Sequence, residues 1–437
     1  MNPTQSWGGM QGRESRQEPI FWKQDISAAL LRDHQFLCHG LGRSYGDSCL
    51  PSGGTALLLS PLRKLRSFDE KTGLLSAEAG LSLAELLDFI VPRGWFIPVS
   101  PGTRYVTLGG AIANDIHGKN HHKRGTFGCH VTEMEVLRSN GETIICSPWR
   151  EPEFFAATIG GLGLTGVISW CTVQLIPIAS AFLETETIRT TGLDDFFALE
   201  DESARDWEYS MSWIDCMAQG SKRGRGIFFR GNHAPYGHPA EEYAAQAQWK
   251  LAIPFQAPSW CLNRWSIRAF NEVVYQQQQK RLKQRRMPID PFFYPLDKVL
   301  HWNRLYGKRG LLQYQFVLAT DRLDELKRIF DIIAQSGLGS FLAVLKKFGD
   351  IRSPGMLSFP REGYTLTLDF QNQGERSQAL FQKLDAIVLK AGGRLYPAKD
   401  AMMSPELFQS GYPLWREFSR HIDPKFTSQF WQRVSRG

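Results

Sequence analysis

The sequence lacks the patterns that define several common protein classes. It has seven scattered cysteines in 437 residues and no CxxC pair, which argues against a disulfide framework and a cysteine-rich zinc site. No stretch approaches the roughly 20 apolar residues of a membrane-spanning helix, and the polar residues 1–19 lack the apolar core of a signal peptide. We therefore expect a cytoplasmic protein with reduced thiols, and contact with a membrane surface remains open.

Two catalytic signatures and a metal-binding pattern are also missing. The sequence has no GxSxG nucleophile motif. The glycine-rich turn at 40–46 is not GxGxxG, and no helix-forming run follows it, which disfavours a nicotinamide-binding Rossmann fold. His117, His121 and His122 lie beside Lys119, whose charge would repel a cation, so we expect no metal site.

What the sequence does contain indicates a globular protein of two or three domains. The net charge is +7, which favours anionic partners such as phosphates, nucleic acid or acidic lipid headgroups. Nucleic acid is disfavoured because the basic residues are dispersed and no recognition motif is present. Short strands, short helices and glycine-rich bends fill residues 20–180; from Ala181 onward glycine thins and longer periodic segments dominate. We place a domain boundary there.

The second region reads as strand, helix, strand, strand, helix over residues 311–391. This order is typical of a ferredoxin-like half set on a larger antiparallel sheet. In the first region, 65–68 and 74–79 predict a hairpin, Ser82 and Glu85 predict a capping box, and 139–141 predicts a two-strand turn.

A basic and aromatic segment lies at 254–286. We expect one helix over 263–286, ending in five positive charges within 280–286 and preceded by the aromatic loop 254–265. Aromatic residues beside a basic run suit an anionic membrane surface. A solvated basic helix after a partly buried loop is the alternative.

Three glycine-rich segments fall within the first region, at 39–47, 101–118 and 160–166. A concave turn of this kind exposes backbone N–H groups that bind phosphate oxygens, and Arg43 adds donors. Each segment alone could be a surface loop. Together they fit a large ligand with diphosphate and ring contacts, which favours a flavin dinucleotide.

The motifs GLGRSYGD, PGTRYVTLGGAIANDIHGKNHH and GLGLTG resemble the PCMH-type FAD-binding domain of the vanillyl-alcohol oxidase superfamily. The likeness continues through residues 301–316, 340–349, 357–370 and 392–400. Within the superfamily, the chain is similar to members that oxidise a polyprenyl-phosphoryl ribose. The resemblance implies an α+β fold. A two-subdomain FAD-binding domain would span 1–180, completed by 394–437, and a substrate domain with a large antiparallel sheet flanked by helices would span 181–393.

The resemblance also assigns site residues. His117, Tyr45 and Lys399 would be catalytic, and Gln315, Lys346, Thr367 and Lys399 would face the substrate. The cofactor-binding residues would be Gly40, Leu41, Gly42, Arg43, Ser44, Tyr45, Gly46, Gly102, Thr107, Leu108, Gly109, Gly110, Asn114, His117, Ile168 and Tyr396.

The implied reaction removes a hydride from a secondary alcohol and a proton from its oxygen. Lys399 would take the proton if burial lowers its pKa, or would stabilise the reduced flavin anion as a cation. Tyr45 is the other candidate for the proton, and Lys346 would meet the substrate phosphate. Arg43 stands where related lactone oxidases carry a flavin-linked histidine, so we predict non-covalent FAD. Thr367 stands where well-known members carry a cysteine trapped by covalent inhibitors, so such trapping should fail here.

The substrate implied is the 2′-hydroxyl of a polyprenyl-phosphoryl-β-D-ribose, oxidised to the 2′-keto form. A short-chain reductase would complete the epimerisation for cell-envelope synthesis, and a quinone would accept the electrons. Residues 255–286 would contact the inner face of the membrane peripherally. The alternative is oxidation of a soluble sugar, alditol or aldonolactone.

Overall fold

A computed structural model describes residues 4–32, 35–246 and 250–436. Its strands are β1 Arg16–Pro19, β2 Phe36–His39, β3 Thr55–Leu58, β4 Leu65–Asp69, β5 Leu74–Glu78, β6 Trp95–Phe96, β7 Val131–Leu137, β8 Thr143–Cys146, β9 Val167–Gln174, β10 Ile176–Pro177, β11 Phe182–Thr190, β12 Tyr209–Ile214, β13 Gly226–His233, β14 Leu251–Ala252, β15 Leu282–Pro288, β16 Val299–Leu300, β17 Leu311–Leu318, β18 Ala343–Phe348, β19 Gly363–Gln371 and β20 Arg394–Leu395. Its α-helices are α1 Lys23–Leu30, α2 Leu83–Ile90, α3 Leu108–Ala113, α4 His121–Arg124, α5 Pro152–Thr158, α6 Leu193–Asp206, α7 Pro239–Ala244, α8 Arg264–Gln277, α9 Ile289–Phe293, α10 Leu323–Ser336, α11 Glu375–Lys390, α12 Pro405–Gly411, α13 Trp415–Ser419 and α14 Gln429–Val434.

The first part of the chain forms two sheets. A small parallel sheet has the order β1-β3-β2, and an antiparallel sheet has the order β4-β5-β9-β7-β8. The predicted hairpin is confirmed as β4 paired with β5, and the predicted turn joins β7 to β8. Helix α2 begins at the predicted capping box, in which the Ser82 hydroxyl accepts from the Glu85 N–H. Its apolar side packs on this second sheet.

The rest of the chain forms an antiparallel sheet of order β15-β11-β13-β12-β18-β19-β17-β20. The predicted order over 311–391 is confirmed as β17, α10, β18, β19 and α11. One face of the sheet packs on α6, α10 and α11 in the largest apolar cluster of the described residues. The opposite face is turned toward the glycine-rich segments, and the α+β class is confirmed.

The predicted helix over 263–286 is wrong in its second half. Helix α8 ends at Gln277, and the basic run continues as the edge strand β15, paired antiparallel with β11. Its first five residues are exposed. Tertiary pairing with β11 decides this outcome, because the local propensity of a Lys- and Arg-rich run is compatible with a helix.

The C-terminal segment returns to the start of the chain. The Phe36 N–H donates to the Lys425 carbonyl at 2.7 Å, and the Thr427 N–H donates to the Phe36 carbonyl at 3.1 Å. Strand β20 nevertheless pairs with β17 of the large sheet. The division into domains at 180 and 394 stays a prediction. Within the described ranges, no helix has the length and apolar character needed to cross a membrane.

Candidate active site

A cavity of about 590 Å³ lies between the three glycine-rich segments and the free face of the large sheet. All but two of the predicted site residues line it. Those that do are Gly40, Leu41, Gly42, Arg43, Ser44, Tyr45, Gly102, Thr107, Gly109, Gly110, Asn114, His117, Ile168, Gln315, Lys346, Thr367, Tyr396 and Lys399. The two that do not are Gly46, which packs against the Asp400 backbone, and Leu108, which is buried in the core.

The first glycine-rich segment turns directly after β2. The backbone at Gly42 is left-handed, with φ of +62°, which favours glycine. A Cβ on Gly40 would lie 2.6 Å from Thr107 Oγ1, so the turn packs closely on the second segment. The Arg43 guanidinium lies over the Trp7 ring at 4.1 Å. The turn therefore presents backbone and one arginine to the cavity.

The second segment builds the short helix α3. Thr107 caps it, because its hydroxyl accepts from the Gly110 N–H at 3.1 Å. The Gly109 N–H donates to the Ala79 carbonyl at 2.7 Å, and a Cβ on Gly109 would lie 3.1 Å from the Ala79 Cβ. Glycine at this position lets the helix lie against Ala79, the residue that directly follows β5.

His117 lines the cavity and is held there by polar and aromatic neighbours. Gln315 Nε2 lies 2.9 Å from its Nε2, and Lys346 Nζ lies 3.2 Å from its Nδ1. The rings of Phe348 and Tyr396 pack on it at centroid distances of 4.9 and 5.5 Å. Burial, reinforced by the positive charge of Lys346, lowers the pKa of His117 well below 6.5. The imidazole is therefore neutral at physiological pH.

Tyr396 connects the second segment with the C-terminal part of the cavity. Its hydroxyl donates to the Asn114 carbonyl at 2.8 Å, and its ring stacks on Phe359 with centroids 4.7 Å apart. The Tyr396 N–H donates to the Gln315 carbonyl at 3.0 Å. These contacts fix the ring against the loop that carries Asn114.

Lys399 lies over the Tyr45 ring and within electrostatic reach of the buried carboxylate of Asp369. Its Nζ lies 3.9 Å from the centroid of the Tyr45 ring. Burial lowers the pKa of Lys399 and raises that of Asp369, and each partner opposes the other's shift. Gln313 donates to Asp369. Burial raises the pKa of Tyr45 well above 10, so its hydroxyl is protonated at physiological pH.

Two further lysines give the cavity a positive character. Lys346 Nζ donates to the Gly118 carbonyl at 3.1 Å, and burial together with Lys119 and Lys399 lowers its pKa to about 7. Lys119 Nζ donates to the Phe293 carbonyl at 3.1 Å, and burial lowers its pKa to about 8. An anion between these amines would favour their charged forms.

Asp369, Gln313 and Lys119 line the cavity but are not among the site residues predicted from the sequence. Asp369 and Gln313 share the cavity face with Thr367 and Gln315, so strand alternation was the available signal. Lys119 was considered only as a deterrent to metal binding. His121 is buried against the Phe348 ring, and both of its ring nitrogens lack a hydrogen-bond partner within the part of the chain that is described.

The cavity fits a flavin dinucleotide. Backbone of residues 40–44 lines one end, where a diphosphate would find N–H donors. Arg43 Nε is buried and has no partner among the described residues. Gly102 lines the cavity, and a Cβ built on it would meet no protein atom within 4 Å, so space for a ligand lies beside it. These are features of a cradle for a large, partly anionic group.

Comparisons with known proteins agree with this geometry. An FAD binding domain family matches residues 25–147. The decaprenylphosphoryl-beta-D-ribose oxidase of Mycolicibacterium smegmatis is 37% identical over 398 residues, covering 89% of this chain and 86% of that protein. An uncharacterised protein of Streptomyces coelicolor, from the 5′ region of mprA, is 33% identical and covers 81% of this chain and 100% of its own. A putative D-arabinono-1,4-lactone oxidase of Neurospora crassa is 34% identical over 28% of the chain.

Proposed function

The chain belongs to the family of the decaprenylphosphoryl-beta-D-ribose oxidase, and we propose that it oxidises the 2′-hydroxyl of a polyprenyl-phosphoryl-β-D-ribose to the 2′-keto form. It is an FAD-dependent oxidoreductase of the α+β, PCMH-type fold. The proposal concerns three features of the substrate: the sugar, the lipid carrier and the hydroxyl that is oxidised.

One observation carries the proposal: buried lysines converge on a neutral histidine inside the cavity. Lys346 contacts His117 directly, and Lys119 and Lys399 are close enough to lower the pKa of Lys346. Such a set of amines suits a substrate with an anionic phosphate and several hydroxyls. A bound phosphate would favour the charged forms of these amines, whereas a neutral, soluble alditol would offer them no anionic partner.

The residues that would hold FAD are those of the cradle. The backbone of 40–44 and Arg43 would bind the diphosphate, and Gly102, Gly109 and Gly110 would allow close approach of the cofactor. FAD, when bound, supplies the acceptor for the hydride that leaves the carbinol carbon. Arg43 carries no nucleophile for a flavin link, and non-covalent binding stays a prediction.

The chain's own side chains would manage the proton and the orientation of the sugar. Lys399 would accept the hydroxyl proton in its unprotonated form, which burial makes accessible near neutral pH. His117 and Gln315 would hydrogen-bond the sugar hydroxyls, and Lys346 would pair with the phosphate. Thr367 faces the same space from β19 and offers no thiol.

The proposal also includes a partner enzyme, an electron acceptor and a membrane contact. A short-chain reductase would reduce the keto product and complete an epimerisation, and a quinone would take up the electrons. Exposed Phe255, Trp260 and Trp265, with the basic strand β15, support peripheral contact of 255–286 with the inner face of a membrane.

The test is anaerobic bleaching of the flavin absorbance by a panel of polyprenyl-phosphoryl sugars and free sugars. We expect a polyprenyl-phosphoryl ribose to bleach at the lowest concentration, with the 2′-keto sugar as product. Bleaching by a free sugar, alditol or aldonolactone, with none by any lipid-linked sugar, would establish the alternative. The relative that bears a lactone oxidase name is matched over only 28% of this chain.

A further inference from the structure

The large sheet is split at one place, between β12 and β18. Among the described residues, these strands pair only through 212–213 of β12 and 344–345 of β18, although each stays paired with its other neighbour, β13 or β19, along the whole strand. The same antiparallel register would set Ser210 opposite Lys347. These two residues instead face each other across a gap, which we call the split.

The second glycine-rich segment continues into the split from the cavity side. The Ser210 N–H donates to the Lys119 carbonyl at 2.9 Å, in place of a partner on β18. The preceding carbonyl, that of Gly118, accepts from Lys346 Nζ at 3.1 Å, and the same Nζ lies 3.2 Å from His117 Nδ1. The positions of His117 and of two buried amines therefore depend on the split staying open.

Glu200 occupies the split from the opposite face, on which helix α6 packs. Its side chain is buried, and the Ser210 hydroxyl donates to its Oε2 at 2.9 Å. The Lys347 backbone N–H is close enough to favour the charged form of the same carboxylate. Its Oε1 is buried and has no hydrogen-bond partner among the described residues. One carboxylate thus meets both strands where they separate, and burying such a group is costly unless charge compensates it.

The compensating charge includes Lys346, on the other side of the split. Burial raises the pKa of Glu200 to about 7. Burial together with Lys119 and Lys399 lowers the pKa of Lys346 to about 7, and Glu200 opposes that shift. Opposite charges favour each other's ionised forms, so Glu200 favours the protonated amine. The other titratable groups around this pair are His117, His121, Lys347, Asp201 and Tyr364.

We propose that Glu200 is a positioning residue for the sugar-phosphate site: it braces the split through which Gly118 and Lys119 enter the sheet, and it places a negative charge behind Lys346. The inference rests on the proposed function, because it takes Lys346 to pair with the substrate phosphate. Glu200 does not line the cavity and meets no substrate atom. It acts through the strands and the loop that carry the amines and His117.

Two neighbouring carboxylates of α6 provide a matched test. Glu200→Gln keeps the size and the hydrogen-bonding capacity of the side chain but removes its charge, and Glu200→Leu removes both. Asp201→Asn is the control, because Asp201 is 67% exposed and accepts from Lys347 Nζ at 2.7 Å. Each variant is compared with the wild-type holoenzyme, and melting temperature and flavin content establish that it is folded and loaded.

The first readout is reductive methylation of Lys346 by formaldehyde as a function of pH, measured by peptide mass spectrometry, because only the unprotonated amine reacts. We expect Glu200→Gln to lower the midpoint pH of this reaction by about half a pH unit or more, and Asp201→Asn to leave it unchanged. The melting temperature alone would not reveal this effect, since a purely structural role does not change the charge of Lys346.

The second readout is kcat and KM for methylphosphoryl-β-D-ribose, which carries the sugar and the phosphate without a lipid. We expect Glu200→Gln to raise KM at pH 8 by about threefold or more with kcat nearly unchanged, because fewer Lys346 amines are protonated. Glu200→Leu should also lower kcat by about tenfold, because the loop that carries His117 loses its brace. Asp201→Asn should match the wild type in both constants.

The inference is refuted if Lys346 is methylated with the same midpoint pH in Glu200→Gln and in the wild type, or if Glu200→Leu retains wild-type kcat and KM. Failure of the proposed function looks different, because the wild-type flavin is then bleached by no phosphoryl ribose. The methylation profile needs no substrate and tests Glu200 in that case as well. If Glu200→Leu does not fold, Glu200→Gln decides the question through both readouts.

Discussion

Lys399 shows how burial can prepare a single side chain for proton transfer. Only the unprotonated amine accepts a proton, and burial lowers the pKa of Lys399 from 10.5. We expect kcat/KM to rise with pH and to level off above that lowered pKa. Lys399→Met should reduce kcat by roughly 10²–10⁴-fold and abolish the rising limb. Lys399→Arg retains the positive charge but cannot act as a base, so an Arg variant with full activity and an unchanged pH profile would contradict the role.

Lys346 illustrates a conflict between stability and binding. Burial lowers the pKa of Lys346 from 10.5 to about 7, so the charged amine is disfavoured in the folded protein. The free energy of unfolding therefore increases as pH rises from about 7 toward 10.5, because the unfolded chain binds the proton more tightly over this range. We expect Lys346→Met to raise the free energy of unfolding at pH 6 by roughly 1–3 kcal/mol, with a smaller gain at pH 9. The same variant should raise KM for the phosphorylated substrate. Denaturant unfolding at both pH values measures the first effect, and equal gains at both would contradict it.

At the level of structural elements, two glycines of the glycine-rich turns differ in their surroundings. Gly46 is packed tightly against the protein backbone, and Gly102 faces open space in the cavity. A Cβ on Gly46 would lie 1.5 Å from the Asp400 carbonyl oxygen, whereas one on Gly102 would meet nothing within 4 Å. Gly46→Ala should therefore lower the free energy of unfolding by about 3 kcal/mol or more. Gly102→Val should leave the unfolding of the apoprotein unchanged and weaken FAD binding at least tenfold. Denaturant unfolding of the two apoproteins measures the first effect, and flavin titration measures the second; equal FAD affinity in Gly102→Val and the wild type would contradict the second.

Much of the site could be predicted from the sequence, because its glycine-rich segments are locally encoded and carry motifs of the family. The strands and helices of 311–391 were predictable for the same reason, since their hydrophobic periodicity is strong. The fate of the basic run 280–286 was not, because β15 exists through its pairing with β11, about 100 positions earlier in the chain. Asp369 was not predicted, because its pairing with Gln313 across β17 and β19 and its nearness to Lys399 arise only in the folded protein.

At the level of the whole molecule, Arg433 connects three distant parts of the chain. Its Nη2 donates to Asp47 Oδ1 at 2.7 Å and to Asp400 Oδ2 at 2.9 Å, joining the end of the first glycine-rich segment, the loop that carries Lys399 and the C-terminal helix α14. Both carboxylates are nearly fully buried, so removing the arginine leaves them without their cation.

We expect Arg433→Met to lower the free energy of unfolding by roughly 3 kcal/mol and to reduce FAD content, because both loops line the cofactor cavity. The control is Arg420→Met, which changes an exposed arginine of the same C-terminal segment. Thermal unfolding and the ratio of flavin to protein absorbance measure the two effects. An Arg433→Met protein as stable and as yellow as the control would show that the connection is dispensable.

The clasp made by Arg433 also bears on which pieces of the chain can hold the cofactor. The cavity takes one wall from residues near position 40 and another from Tyr396 and Lys399, and Arg433 ties the loops beside these two walls together. A proteolytic fragment that ends between Lys399 and Arg433 retains both walls without their clasp. We expect such a fragment to lose flavin more readily than the intact chain.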